Sequence, residues 1–281
     1  MRIEKAGEIG FCFGVKRAIN ILENVARERG GVETLGPVVH NQQVLQRLTE
    51  IGVRVAKDVD DIQGNTVAIS AHGVSPQLEQ EIRARHIDII NTTCPFVHRA
   101  QAAAKRLAES GFFVIIYGDG DHPEVKGVLG WADGKGTAAL DEKFITSFDS
   151  LPRRLGVLSQ TTQTSAHFTE FVKKLIGSAL AKDSEIRIID TICHDIRQRQ
   201  EEALKLAKRV DLMLVIGDHN SANSNRLAEL CSMTTKTYLV ETAGEIQPSW
   251  LQGLSYIGVT AGASTGEPVI NEVIKKLEAV G

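Results

Sequence analysis

Cys12, Cys94 and Cys193 each stand where a strand-forming stretch runs into a helix-forming one, in Gly-Phe-Cys-Phe-Gly-Val, Asn-Thr-Thr-Cys-Pro and Asp-Thr-Ile-Cys-His. A thiolate is a soft metal ligand and a nucleophile, and a helix N-terminus stabilises it through unpaired N–H groups, so these positions suit ligation or retention of an anionic cluster. A polar residue in a strand-end loop follows each cysteine by the same 28 residues: His40 after Cys12, His122 after Cys94 and Ser221 after Cys193. The equal interval marks a threefold repeat organised around three thiols. Three sulfur donors from distant segments, with no Cys-x-x-Cys pair, fit a metal or cluster that keeps one open position, whereas closed structural zinc sites use local pairs and four ligands. The fourth cysteine, Cys231, lies inside Arg226-Leu-Ala-Glu-Leu-Cys-Ser-Met, away from any strand end, and reads as a buried helix residue.

The histidines divide in the same way. His40, His72 and His122 fall in strand-end loops, while His86, His98, His167, His194 and His219 do not. In His122-Pro-Glu124 a carboxylate lies two residues from an imidazole on a Gly-rich turn, a sensible arrangement for proton delivery. Thr161, Thr162, Ser221, Asn223 and Ser264 bring hydroxyl and amide donors to strand ends that precede helices, the setting that binds phosphate through backbone N–H groups and small polar side chains. A cluster, an acid and a phosphate cradle together suggest reductive chemistry on a phosphorylated small molecule.

The elements that must position these residues alternate between strand and helix. Val15, Ile19, Leu22 and Val25 or Ala26 recur at helical spacing after Cys12. Pro95 opens a helix after Cys94, and residues 194–207 are strongly helix-forming. Strands are expected at 32–35, 53–55, 67–70 and 87–90, at 112–117, 137–140, 156–159 and 186–189, and at 212–216, 237–240 and 256–259. The third set lacks a closing strand, and residues 2–6 form an unassigned one, so the start of the chain is expected to complete the third sheet and close a ring. Such alternation predicts mainly parallel sheets with ligands at the carboxyl ends of strands. The expected fold is α/β: three pseudo-threefold-related units, residues 12–93, 94–192, and 193–281 plus 1–11, each with a small four-stranded sheet, around a central cavity.

Composition bounds the function. At 281 residues, with 42% hydrophobic and 24% charged residues, the chain is long enough for two or three packed cores. A formal net charge of -3 supplies no basic field for nucleic acid. No stretch is apolar for long enough to span a membrane, and the first residues lack the apolar core of a secretory signal, so a cytoplasmic protein is expected. In that compartment cysteines serve metals or catalysis before disulfides.

Gly-Phe-Cys-Phe-Gly-Val, Val-Val-His-Asn at His40, Ser-Ala-His-Gly-Val at His72, Thr-Cys-Pro, His-Pro-Glu, Gln-Thr-Thr, Asn-Ser-Ala-Asn-Ser-Asn and Ala-Gly-Ala-Ser occur in this order from about residue 10 to the C-terminus. Together they resemble the LytB/IspH family of 4-hydroxy-3-methylbut-2-enyl diphosphate reductases. The resemblance implies an oxidoreductase of the non-mevalonate isoprenoid pathway, with one 4Fe-4S cluster held by Cys12, Cys94 and Cys193 and one iron open to the substrate hydroxyl. It implies Glu124 as proton source, assisted by Thr161 and a water network, with His122 beside it. His40, His72, His122, Thr161, Thr162, Ser221, Ala222, Asn223 and Ser264 would hold the allylic diphosphate. Ala222 departs from the family pattern, which commonly has a polar residue there, and leaves only its backbone N–H for the phosphate. Without a ferredoxin-like cysteine run, electrons would come from a separate protein such as ferredoxin or flavodoxin with its NADPH-dependent reductase. Two other readings compete: a zinc-dependent hydrolase of a phosphorylated small molecule with Glu124 as base, and a non-enzymatic iron-sulfur redox sensor. The sensor leaves Glu124 and the phosphate-like loops unexplained.

Overall fold

The computed structural model describes residues 1–39, 41–141, 144, 152–179 and 184–280. Its strands form three four-stranded sheets, every pairing parallel. The first contains β2 (Val32–Leu35), β3 (Val53–Ala56), β4 (Thr66–Ile69) and β5 (Asp88–Asn91); the second β6 (Phe113–Tyr117), β7 (Gly136–Ala139), β8 (Arg154–Ser159) and β9 (Glu185–Ile188). The third contains β10 (Leu212–Ile216), β11 (Lys236–Val240), β12 (Tyr256–Ala261) and, as expected, the chain's first strand β1 (Arg2–Lys5), with Arg2 opposite Tyr256. The helices are α1 (Phe13–Arg29), α2 (Gln42–Glu50), α3 (Pro76–Ala84), α4 (Pro95–Glu109), α5 (Pro123–Gly130), α6 (Ser165–Ala179), α7 (His194–Ala207), α8 (Ala222–Ser232) and α9 (Glu267–Val280). The strand orders β3-β2-β4-β5, β7-β6-β8-β9 and β11-β10-β12-β1 are one topology used three times.

Local sequence explains the parallel sheets. Each strand is followed by a helix or a longer connection, and parallel neighbours require such crossovers. The central strands are near-continuous apolar runs, Leu-Met-Leu-Val-Ile in β10 and Phe-Val-Ile-Ile-Tyr in β6, because helices cover both faces. Ala100, Ala103, Ala104 and Leu107 of α4 fall on one helical stripe and pack with Phe112, Val114, Ile116 and Leu158. On the other face of that sheet Ile115, Tyr117, Leu155 and Val157 meet Phe168, Phe171 and Leu175 of α6. The third sheet is covered alike: Val269, Val273 and Leu277 of α9 pack with Leu212, Leu214 and Val259, and Leu206, Leu227 and Cys231 with Met213 and Val215.

By contact density the chain divides into two compact units. Met1–Lys16, Val39–Arg47 and His194–Gly281 carry the third sheet; Arg17–Val38 and Leu48–Cys193 carry the other two.

Candidate active site

In an open parallel sheet the crevice for a ligand lies beyond the carboxyl ends of strands where the chain order reverses, here between the first and third strands of each set. The candidate residues among those described fall in loops beyond the carboxyl ends of strands or in the first turn of the helix that follows, and the loops repeat one bonding pattern. Gly36, Gly118 and Gly217 each donate their N–H to the last carbonyl of a neighbouring strand, Ala56, Ala139 and Val240, at 2.8, 3.0 and 2.9 Å. Cys94, Cys193 and Cys12 donate theirs to the carbonyls of Ala71, Thr161 and Ala263, each at 3.0 Å and each two residues beyond a third strand. The backbone therefore fixes every cysteine against the loop that follows the strand beside it. None of the three is in a disulfide; Cys12 and Cys94 are partly exposed and Cys193 is buried. The fourth, Cys231, lies in the apolar core at 0% exposure, and burial pushes its thiol up to about 12, an inert side chain.

The unit with the first two sheets holds Cys94, Cys193, His72, His122, Glu124, Thr161 and Thr162. Glu124 is 2% exposed in the first turn of α5. The N–H of Thr161 donates to its Oε1 at 2.7 Å, and the Thr161 hydroxyl bonds its Oε2 at 2.7 Å. Burial pushes the Glu124 carboxyl above its ordinary range, and the two Thr161 bonds only partly oppose that. His122 caps α5: its Nδ1 accepts the Glu124 N–H at 3.1 Å, which leaves the proton of a neutral ring on Nε2. The His72 ring stands edge-on to that of His122, centroids 5.3 Å apart. Since Cys193 N–H is bonded to the Thr161 carbonyl, one threonine ties the acid to a cysteine loop. Thr162 lies half-buried in the same turn.

The other unit holds Cys12, Ser221, Ala222, Asn223 and Ser264. Ser221 caps α8 by accepting the Ser224 N–H at 3.4 Å, and Ala222 opens the helix. Asn223 is 8% exposed, and its amide Nδ2 is buried without a hydrogen-bond partner among the described residues, a donor available to a ligand. Asn41 donates through Nδ2 to the Ser264 carbonyl at 2.8 Å and caps α2 by accepting the Val44 N–H at 3.0 Å. His40 lies outside the described residues. Near Cys12, burial raises the thiol's pKa, against the pull of the Val15 N–H, 3.5 Å from Sγ, and of the Arg199 guanidinium.

Residues that chemistry-bearing motifs did not single out complete these loops. The hydroxyls of Thr92 and Thr191, each two residues before a cysteine, bond the last carbonyls of β4 and β8, Ile69 and Ser159. Asn41 and Gln160 act likewise through backbone: Gln160 Oε1 accepts the Asp119 N–H at 3.1 Å in the loop that leads to His122. The visible signal for the threonines is the shared Thr-x-Cys of residues 92–94 and 191–193.

A three-times-repeated parallel α/β fold with a cysteine at one strand-end loop of each repeat, and a buried acid in the first turn of a helix beyond another strand end, defines a class of cysteine-centred α/β protein. The family model described as LytB protein matches residues 3–278, and the chain belongs to that family. It is 60% identical over 278 residues to a protein of Dehalococcoides mccartyi (strain CBDB1) named 4-hydroxy-3-methylbut-2-enyl diphosphate reductase, covering 99% of this chain and 98% of the relative. A protein of the same name from Geobacter sulfurreducens is 44% identical over 280 residues, covering 99% and 97%. A solved structure of (E)-4-hydroxy-3-methyl-but-2-enyl diphosphate reductase, described as the terminal enzyme of the non-mevalonate pathway, is 37% identical and superposes with TM-score 0.72 over 99% of this chain and 100% of that one. The E-1-hydroxy-2-methyl-but-2-enyl-4-diphosphate reductase of Plasmodium falciparum superposes with TM-score 0.91 at 25% identity, covering 99% and 87%.

Proposed function

We propose that this chain removes the hydroxyl of 4-hydroxy-3-methylbut-2-enyl diphosphate reductively, giving isopentenyl and dimethylallyl diphosphate, the last step of the non-mevalonate pathway. The change takes up two electrons and two protons: the carbon–oxygen bond breaks, oxygen leaves as water, and a carbon of the allylic unit gains hydrogen. The buried Glu124–Thr161 pair carries the reading. An acid whose pKa is raised by burial holds its proton to higher pH than an exposed carboxyl does, and the hydrogen-bonded Thr161 hydroxyl offers it a path to the departing oxygen. His122, fixed through Nδ1, keeps an Nε2–H donor.

Cys12, Cys94 and Cys193 are proposed to hold one 4Fe-4S cluster. Among the described residues no three His, Cys, Asp or Glu side chains are gathered as a single-ion site. The fit rests instead on the donor set: three cysteines outside any disulfide at equivalent repeat positions, each backbone anchored in the same way, three ligands leaving one iron open. When bound, such a cluster supplies single electrons and a Lewis-acidic iron. His40, His72, His122, Thr162, Ser221, Asn223 and Ser264, with the N–H of Ala222, hold the diphosphate; the unpartnered Asn223 Nδ2 supports this assignment. Neutral donors and protonatable imidazoles then replace fixed cations. The three repeats, residues 12–93, 94–192 and 193–281 with 1–11, are the proposed domains. Electrons arrive from ferredoxin or flavodoxin with its NADPH-dependent reductase, in the cytoplasm; among the described residues no helix is long and apolar enough to cross a membrane. Metal analysis of anaerobically purified protein tests the cofactor: iron with acid-labile sulfide is expected, and stoichiometric zinc without sulfide would favour the hydrolase.

A further inference from the structure

The third repeat departs from the other two at one buried position. Six residues after Cys12 and Cys94 come Ala18 and Ala100, both fully buried, whereas six residues after Cys193 comes Arg199, 3% exposed. The partner position changes with it. Thr92 and Thr191 stand two residues before their cysteines and bond the last carbonyl of the neighbouring third strand, but Gly10 stands two before Cys12. Gly10 has φ +90°, a conformation in which a β-branched residue is strained, so a threonine cannot take over the bond there. Arg199 does so instead: Nη1 donates to the Ala261 carbonyl at the end of β12 at 2.9 Å and to the Glu8 carbonyl at 3.3 Å, and Nη2 donates to the Gly10 carbonyl at 2.7 Å.

An Ala/Thr pair is thus exchanged for an Arg/Gly pair, and the exchange leaves a buried cation beside one cysteine. One turn earlier on α7, Asp195 accepts the Phe13 N–H at 3.2 Å, so the helix grips the Cys12 loop on both sides of the thiol with charges of opposite sign. Arginines near the other cysteines do not play this part. Arg17 reaches the Thr93 carbonyl at 3.2 Å from a half-buried position, and Arg99 the Asp190 carbonyl at 2.5 Å from an exposed one, where solvent screens them more.

We propose that Arg199 is a positioning residue for Cys12 and supplies the fixed positive charge that raises the reduction potential of the bound cluster. This rests on the three-cysteine cofactor reading. The step concerned is uptake of one electron from an external one-electron reductant; no bond forms or breaks, and the added negative charge is stabilised by the nearby cation. A unit charge acting over roughly 10 Å at an effective dielectric near 20 is worth about tenfold in an equilibrium constant.

The test is an anaerobic redox titration of holoprotein, followed by electron paramagnetic resonance, for wild type, Arg199→Gln, Arg199→Lys and Asp195→Asn. At the wild-type midpoint potential Arg199→Gln should show about a tenfold lower ratio of reduced to oxidised cluster. Arg199→Lys keeps the charge without the fork, so its midpoint should stay near wild type while iron and sulfide are lost faster on incubation. Asp195→Asn removes the opposing anion and should shift the ratio upward. An unshifted Arg199→Gln, or a Lys variant shifted as far as the Gln one, overturns the inference. Should Arg199→Gln not fold, the Lys and Asp195→Asn variants decide: a wild-type-like midpoint in Lys with an upward shift in Asn supports it, and any other pair of results overturns it. Wild-type protein without iron and sulfide would instead remove the cofactor reading on which it stands.

Discussion

Replacing Glu124 by Gln separates the proton from the geometry. Glutamine can hold the same two contacts, its Oε1 accepting the Thr161 N–H and its Nε2 donating to the Thr161 hydroxyl, both 2.7 Å bonds in the acid. Only the transferable proton is lost. A missing general acid costs about two to four orders of magnitude in turnover, on the order of 3–5 kcal/mol of barrier. Steady-state turnover under strict anaerobiosis should therefore fall by that factor, with KM changed only a few-fold and the iron and sulfide content unchanged. Stability should move the other way. Burial raises the folded pKa of Glu124 above the unfolded value near about 4.3, so between the two the folded state binds more protons. Wild-type stability then falls as pH rises through that window, by up to about 1.4 kcal/mol per unit, and the Gln variant escapes this loss. Its melting temperature relative to wild type should climb from pH 4.5 upward. Turnover within about threefold of wild type, or a variant that loses ground as pH rises, would refute the protonated acid.

Thr161→Val removes the side-chain bond to Glu124 but leaves the backbone one, so turnover should drop less than in Glu124→Gln, with a melting temperature lowered by the equivalent of about 1.5–3 kcal/mol. Cys12→Ser, Cys94→Ser and Cys193→Ser should each lose or degrade the cluster's visible absorbance, whereas Cys231→Ser should keep it and cost about 1–3 kcal/mol in denaturant unfolding for a hydroxyl in an apolar core. Glu33 should contribute to acid sensitivity. Burial pushes its carboxyl up, but the Gly64 N–H, Arg54 and the Gln63 N–H outweigh that and hold it below the ordinary range. Its stabilisation is present above the unfolded pKa and lost as pH falls through the folded one; Glu33→Gln should flatten the decline of melting temperature below about pH 4.5.

The sheets were legible because they depend on local patterns: apolar runs in the central strands such as β6 and β10, Pro95 at a helix start, and the Gly-rich turn before His122. The equal spacing from cysteine to the next polar loop exposed the repeat, and the lack of a fourth strand in the last copy pointed to β1. Glu124 was legible as an acid beside His122, but its bonds to Thr161, 37 residues away, depend on how β6 and β8 pair and appear in no local pattern. Arg199 stayed hidden for the opposite reason. An arginine in a charged helix resembles a solvated one, and only comparison of the three copies, Ala18, Ala100 and Arg199, shows it in a buried position.

The decisive measurement is anaerobic incubation of the reconstituted holoprotein with 4-hydroxy-3-methylbut-2-enyl diphosphate and a one-electron reductant, with products, iron and sulfide quantified on one sample. Isopentenyl and dimethylallyl diphosphate should appear, consuming two electrons per molecule, only in samples that contain iron and sulfide. A cluster-loaded protein that leaves the substrate unchanged, or a product released as free phosphate, would contradict the proposed reduction.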